Sequence, residues 1–193
     1  MNPNLIEVGV DEVGRGCLAG PVVACAVLIP EGVDSSSFKD SKKIAKKKRE
    51  SISNYIRENC FFGIGLVDPA KIDEINILQA TFVAMREAID NLILSIGSEH
   101  QNLHLLIDGD KFPGYPGITH DCVVKGDSLH KCISAASIVA KVHRDGIMED
   151  LSRDFPDYLW ESNSGYGTKD HMQSIEKHGL TIHHRRSFCS RFL

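Results

Sequence analysis

The strongest constraint on this chain is residues 6–21, IEVGVDEVGRGCLAGP, which run directly into eight apolar residues from Val22 to Ile29. Ile6, Val8 and Val10 alternate with Glu7 and Gly9, the period-2 pattern of a strand. The strand is predicted to end on adjacent carboxylates, Asp11 and Glu12, before a turn at Gly14-Arg15-Gly16. The run 22–29 has the length of a buried strand and is too short to cross a membrane. Neighbouring side chains on a strand point to opposite faces. Asp11 and Glu12 therefore serve one site only if the strand ends there and the backbone turns. Glycines at 14 and 16 supply that freedom and let backbone N–H groups approach a ligand closely. Arg15 between them is a planar cation suited to phosphate. A polar hairpin turn with solvated acids accounts for the same spacing. Acids to hold a metal, glycines for close approach and one arginine also suggest chemistry on a phosphodiester, and spacing alone leaves both readings open.

At 193 residues the chain has the length of one domain with a small appendage. Its 42% hydrophobic and 25% charged residues are those of an ordinary soluble protein. The cysteines at 17, 25, 60, 122, 132 and 189 form no C-x-x-C pair, and no charged-then-apolar leader is present. A reduced, cytoplasmic monomer without a membrane segment is expected. His120 and Cys122 lack the neighbours of a structural zinc tetrad. A net charge of −4 argues against coating nucleic acid through bulk positive charge. Basic residues nevertheless cluster from Lys42 to Arg49 and in the tail, at Arg185, Arg186 and Arg191. Such runs are usually solvated faces; on an acidic chain they also suit a strand-binding groove beside an acidic, metal-loaded centre.

Further elements follow in order. A basic helix is predicted from about Ala45 to Glu58, then a strand from Cys60 to Val67 that Gly63 and Gly65 should weaken or kink. Asp68-Pro69 signals a helix start. Ile75, Leu78, Phe82, Met85, Ile89, Leu92 and Ile96 form one apolar stripe on a helix over about 76–96. Leu103–Ile107 is the next strand and meets Asp108-Gly109; Pro113 and Pro116 mark a loop, and Asp121–Val124 a short strand. From Asp127 the pattern is helical through about Leu151, with Ala135, Ala136 and Ala140 as a small-residue face for close packing on a sheet. Residues 156–193 hold Gly165-Tyr166-Gly167, a helix at about 169–178 and the basic tail. The expected architecture is α/β: a mixed five-stranded sheet flanked by helices over 1–155, with a small C-terminal helical, substrate-contacting part over 156–193.

If the first and fourth strands are neighbours, Asp11, Glu12 and Asp108 meet at one sheet edge, with Asp127 at the mouth of a helix. Like charges that close need a cation between them, and hard ions such as Mg²⁺ or Mn²⁺ suit oxygen ligands best. Each acid also has an ordinary reading. Asp127 has the place of a helix N-cap, Asp108-Gly109 that of a turn, and Asp110 competes with Asp108 as a ligand.

With these residues in view the chain resembles prokaryotic ribonuclease HII, of the ribonuclease H-like fold. The matching segments are GVDEVGRGCLAGPVVACAVL (9–28), DSKK (40–43), INILQAT (75–81), IDGD (107–110), KGD (125–127), SAASIVAKVHRD (134–145), SGYGT (164–168) and HHRRSF (183–188). The resemblance implies a catalytic and metal-holding quartet of Asp11, Glu12, Asp108 and Asp127. It implies a ribonucleotide-reading loop of Gly14, Arg15 and Gly16, a phosphate contact for Lys42, and stacking of Tyr166 on the following deoxyribose. Lys141 and Arg144 match family positions without an assigned role. Asp110, Cys132 and Ser134 depart from the family's usual Asn, Ser and Ala. The implied activity is hydrolysis of RNA–DNA hybrids and of single ribonucleotides in duplex DNA, 5′ of the ribonucleotide, with two divalent ions. The rivals are a ribonuclease HIII-like enzyme, disfavoured by Arg15 where that group usually has Lys, a structure-specific nuclease of the same fold, and a non-catalytic nucleic-acid-binding protein.

Overall fold

The computed structural model describes residues 5–39, 41, 44–97 and 102–193. Its layering is set by β2 (Val22–Leu28), which is buried along its whole length. Val23, Cys25 and Val27 pack against α1 (Lys46–Asn59) and α5 (Lys131–Asp154). Val22, Ala24, Ala26 and Leu28 pack on the other side, against α3 (Ile77–Ile96). A strand covered on both faces has no polar side to show, which is why the run from Val22 is unbroken. With β1 (Ile6–Val13), β3 (Phe61–Val67), β4 (Leu103–Asp108) and β5 (Thr119–Val123), it forms one five-stranded sheet in the order β3-β2-β1-β4-β5. The first three strands are antiparallel, whereas β4 and β5 run parallel to β1. This is the expected mixed sheet with helices on both faces. No helix among the described residues is long and apolar enough to cross a membrane.

Several local expectations need correcting. Gly63 and Gly65 do not weaken β3, which pairs with β2 along its full length. A Cβ on Gly63 would lie 2.2 Å from the Ala88 carbonyl oxygen, and one on Gly65 would lie 2.1 Å from that of Ala84. The glycines let α3 lie directly on the strand. The predicted stripe holds at Met85, Ile89, Leu92 and Ile96, with Phe82 packed against the same core, but Leu78 is exposed and Ala80, Ala84 and Ala88 belong to the buried face as well. Ile75 belongs to a separate short helix, α2 (Pro69–Ile75), capped as expected by Asp68. Asn76, at φ 65°, breaks the two apart and caps α3 by accepting from the Leu78 and Gln79 N–H groups. The helix predicted from Asp127 is also interrupted. The short α4 (Gly126–Leu129) ends where His130 turns extended (φ −119°, ψ 129°), and α5 starts at Lys131.

Helix α5 approaches β1 as the alanine face predicts. Ala135, Ala136 and Ala140 are fully buried, and a Cβ on Gly9 would sit 2.1 Å from the Cys132 backbone carbon. Residues after 155 gather around Tyr158, Trp160, Ile175 and Cys189, which pack on Ala19 and on Met148 of α5. All six cysteines are free, and Cys122 alone is exposed, in keeping with their use as small apolar residues.

A methyl group at a close approach and one on an open helix surface should act in opposite directions. Gly65→Ala is expected to destabilise the fold by about 1–3 kcal/mol through overpacking. Gly146→Ala, exposed on α5 with nothing within 4 Å, is expected to stabilise it by about 0.5–1 kcal/mol. Denaturant unfolding of both variants checks the pair.

Candidate active site

The β1–β4 ladder ends at Val10↔Ile107, and each chain carries a carboxylate one residue further on, Asp11 and Asp108. Against β2, however, β1 continues: Asp11 pairs with Cys25, Glu12 with Ala24 and Val13 with Val23. The acids are therefore inside a strand and not at its turn, contrary to the sequence-based expectation. They reach one site because β1 outruns its neighbour on the β4 side. Asp11 has the parity of Gly9 and faces α5, where the Ser137 hydroxyl is near enough to favour its charged form. The Ser41 hydroxyl lies 3.0 Å from that of Ser137.

Asp11, Glu12, Val13, Ser41, Arg49, Asp108, Ser137, Lys141 and Tyr166 line one cleft of about 390 Å³. Burial, and then repulsion from Glu12 and Asp108, holds the Asp11 carboxyl well above the usual carboxylate range; the Ser137 hydroxyl and the Glu12 N–H work against them. Burial also raises Glu12, opposed mainly by Arg15, whose guanidinium donates to Glu12 Oε1 at 3.3 Å. The lysine and arginine that line this cleft both face another acid. Lys141 pairs with Asp145 at 2.7 Å, and Arg49 faces the same carboxylate at 3.8 Å.

Among the described residues, no three acid, histidine or cysteine side chains already converge on one ion position. The donor set nonetheless suits a hard divalent cation. It consists of carboxylate oxygens, and Asp11 is buried and repelled by two neighbouring acids, the situation that a cation relieves.

The remaining predicted residues divide. Asp127 does not line this cleft. It is the second residue of α4, whose N-cap is Lys125 at φ 58°, so the N-cap reading of Asp127 does not hold. It borders an adjoining hollow of about 230 Å³ with Phe38, Lys39, Lys131 and Ser134. The link to the cleft is short: the Gly126 N–H donates to Asp108 Oδ1 at 2.7 Å. Asp110 is exposed and outside the cleft, which removes it as the rival to Asp108. Gly14 and Gly16 differ in role. Gly14 is buried at φ +92°, where a Cβ would lie 2.3 Å from Arg144 Nε. Gly16 is exposed and has nothing within 4 Å of a Cβ, so its backbone is open to a ligand. Lys42 lies outside the described residues.

Tyr166 stands beside the acids in the cleft lining, 41% exposed, with Cys17, next to the glycine loop, close to its phenol. Its backbone carbonyl is held from inside. His171 Nε2 accepts from Trp160 Nε1 at 3.0 Å, which leaves Nδ1–H to donate to Tyr166 O at 2.9 Å. Buried His184 lies 3.2 Å from the same Nε2, and burial lowers its pKa to about 4, so both rings are neutral at pH 7. The expected basic tail surface is not continuous. Arg185 is fully buried, and Arg191 reaches Glu176 at 3.7 Å. Sequence reasoning missed Ser137 and Arg185 and left Lys141 and Arg144 open. The spacing of residues 137, 141 and 144 (i, i+4, i+7) was the available signal, because it marks one helix face.

The ribonuclease HII family model matches residues 8–191. The chain belongs to the ribonuclease HII family. It is 46% identical over 189 residues to the ribonuclease HII of Bacteroides fragilis, covering 97% of this chain and 91% of that one. The ribonuclease HII in the PCNA:RNase HII complex from Archaeoglobus fulgidus superposes with a TM-score of 0.73 at 26% identity, covering 94% of each chain. Bst-RNase HIII in complex with Mn²⁺ gives a TM-score of 0.76 at 20% identity, covering 93% of this chain and 64% of that one. The last likeness is one of fold, the ribonuclease H-like fold. The higher identity to ribonuclease HII sets aside the HIII-like rival, and the chain is an endoribonuclease of the type 2 ribonuclease H class.

If the acids repel one another as described, Asp11→Asn should stabilise the chain when no divalent cation is present. In EDTA the variant is expected to melt about 2–4 °C above the wild type, on the order of 1 kcal/mol. A variant that melts below the wild type in EDTA would contradict the repulsion.

Proposed function

We propose that this ribonuclease HII hydrolyses RNA–DNA hybrids and single ribonucleotides embedded in duplex DNA, cutting 5′ of the ribonucleotide to leave 3′-hydroxyl and 5′-phosphate ends. What carries the reading is that Asp11, Glu12 and Asp108 line one cleft with Tyr166, beside the open backbone of Gly16. Asp11, Glu12, Asp108 and, from the neighbouring hollow, Asp127 would hold Mg²⁺ or Mn²⁺, two ions in the presence of substrate. Bound there, such ions lower the pKa of water and neutralise charge on the phosphodiester.

The chain's own residues do the rest. Asp11 is held toward the scissile phosphate by its place in β1 and by the Glu12 N–H, while Asp108 is fixed by the Gly126 N–H. Asp127, one residue beyond that amide, stands on the side from which water attacks in line. The backbone of Gly14 to Gly16 meets the 2′-hydroxyl, the one group that distinguishes ribose from deoxyribose at a single position. Tyr166 stacks on the next sugar, where a missing 2′-oxygen leaves room for the ring. Lys42 and Arg15 contact phosphate. The neutral histidines behind Tyr166 keep its backbone in place and take no part in proton transfer.

The test is a labelled duplex with one ribonucleotide, compared with its all-DNA twin, with Mn²⁺ or Mg²⁺ and with chelator. The expected result is a single cut 5′ of the ribonucleotide, absent from the twin and from the chelated reaction. Equal cutting of both duplexes would replace this reading with a structure-specific nuclease.

A further inference from the structure

Arg144 of α5 and Arg185 of the tail are both fully buried. Neither forms an ion pair with a carboxylate among the described residues; all their side-chain hydrogen bonds given by the structure go to backbone carbonyls. Arg144 donates through Nε to Pro21 O (2.9 Å), through one terminal nitrogen to Ala19 O (2.9 Å) and through the other to Ser164 O (2.7 Å). Arg185 donates twice to Gly20 O (3.0 and 2.9 Å) and once to Arg15 O (2.9 Å). Two like charges buried this way cost several kcal/mol without a compensating partner, so their retention calls for a reason. Apolar packing alone would fill the same space at lower cost.

Geometry supplies the reason. The carbonyl of Arg15 and the N–H of Gly16 share one planar peptide, and no cis peptide occurs among the described residues, so the two groups point in opposite directions. With the carbonyl drawn inward by Arg185, the Gly16 N–H is turned outward, at the residue where no neighbour fills the space of a Cβ. Arg144 meanwhile lies against the loop at Gly14, where a Cβ would sit 2.3 Å from its Nε, and ties Ala19 and Pro21 just beyond it to Ser164, two residues before Tyr166. The Leu18 and Ala19 N–H groups, donating to Gly165 O at 2.8 and 3.3 Å, stitch the same seam.

We propose that Arg144 and Arg185 are positioning residues for substrate selection: Arg185 aims the Gly16 N–H at the ribose, and Arg144 fixes the distance from that loop to Tyr166. The inference rests on the reading that residues 14–16 and Tyr166 recognise the ribonucleotide junction. Lysine keeps the charge at either position but offers one point in place of a fork.

The test is a double-mutant cycle in kcat/KM on the single-ribonucleotide duplex, with Tyr166→Ala made in the wild type, in Arg144→Lys and in Arg185→Lys. In the wild type, Tyr166→Ala is expected to cost about tenfold or more, the scale of one aromatic stacking contact. In either lysine background the same change is expected to cost less than about threefold, because the ring is no longer held against a correctly placed loop. A merely structural role lowers the folded fraction and leaves the Tyr166→Ala factor intact, and that result overturns the clamp. A Tyr166→Ala change without effect in the wild type overturns the reading of the site, and the clamp with it. Thermal melts check that the lysine variants fold. Should neither fold, Gly165→Ala takes their place, since its Cβ would lie 2.4 Å from Ala19 O and push the two loops apart from outside the arginine pair. It is expected to shrink the Tyr166→Ala factor in the same way, and an undiminished factor there also overturns the proposal.

Discussion

Parallel pairing of β1 with β4 is the constraint from which the site follows. The register that sets Val10 beside Ile107 brings Asp11 and Asp108 to adjacent places just beyond the last paired residues. Because β1 runs on against β2, Asp11 and Glu12 are held by a strand and not left to a loop. The same sheet is covered closely by α5, which Gly9 permits, and this brings the Ser137 hydroxyl near Asp11. The outcome is a rigid group of acids in which burial, Glu12 and Asp108 hold the Asp11 carboxyl well above the usual carboxylate range. Arg15 answers only Glu12, and Lys141 and Arg49 are turned to Asp145.

Charge is handled in the opposite sense a short way along the chain. Around the glycine loop two buried guanidinium groups stand without carboxylate partners, and the backbone carbonyls of residues 15, 19, 20, 21 and 164 take their place. One half of the site is thus an acidic strand end, and the other is a loop pair gripped by arginines. Both halves meet at Tyr166, whose phenol lies near Cys17 and whose carbonyl is anchored by a neutral histidine. The acids and the loops can each be rigid because different elements build them.

Much of this was legible in the sequence. Alternation in residues 6–10, the apolar run from Val22 and the carboxylate after Ile107 pointed to the sheet and to the acids at its edge. Legibility failed where a residue type has two uses. Gly63 and Gly65 looked like strand breakers, yet they are contact points for α3, and only the partner's position distinguishes these uses. Arg185 looked like part of a basic surface, because composition cannot tell a solvated arginine from one that binds backbone carbonyls inside. Asp127 looked like a helix cap, but the left-handed turn at Lys125 had already opened that helix. Arg144 could have been placed from its helical phase with Ser137 and Lys141, though not its carbonyl partners, which come from segments distant in sequence.

The central claim is that Asp11 and Asp108 form a cluster completed by a divalent cation. The most direct test is a Mn²⁺ titration of the nucleic-acid-free chain, with the free aquo ion followed by electron paramagnetic resonance. Saturable binding is predicted for the wild type, weakened about tenfold or more in both Asp11→Asn and Asp108→Asn, because affinity follows the charge count of the oxygen ligands. Equal binding by all three proteins would show that the ion sits elsewhere and would contradict the account.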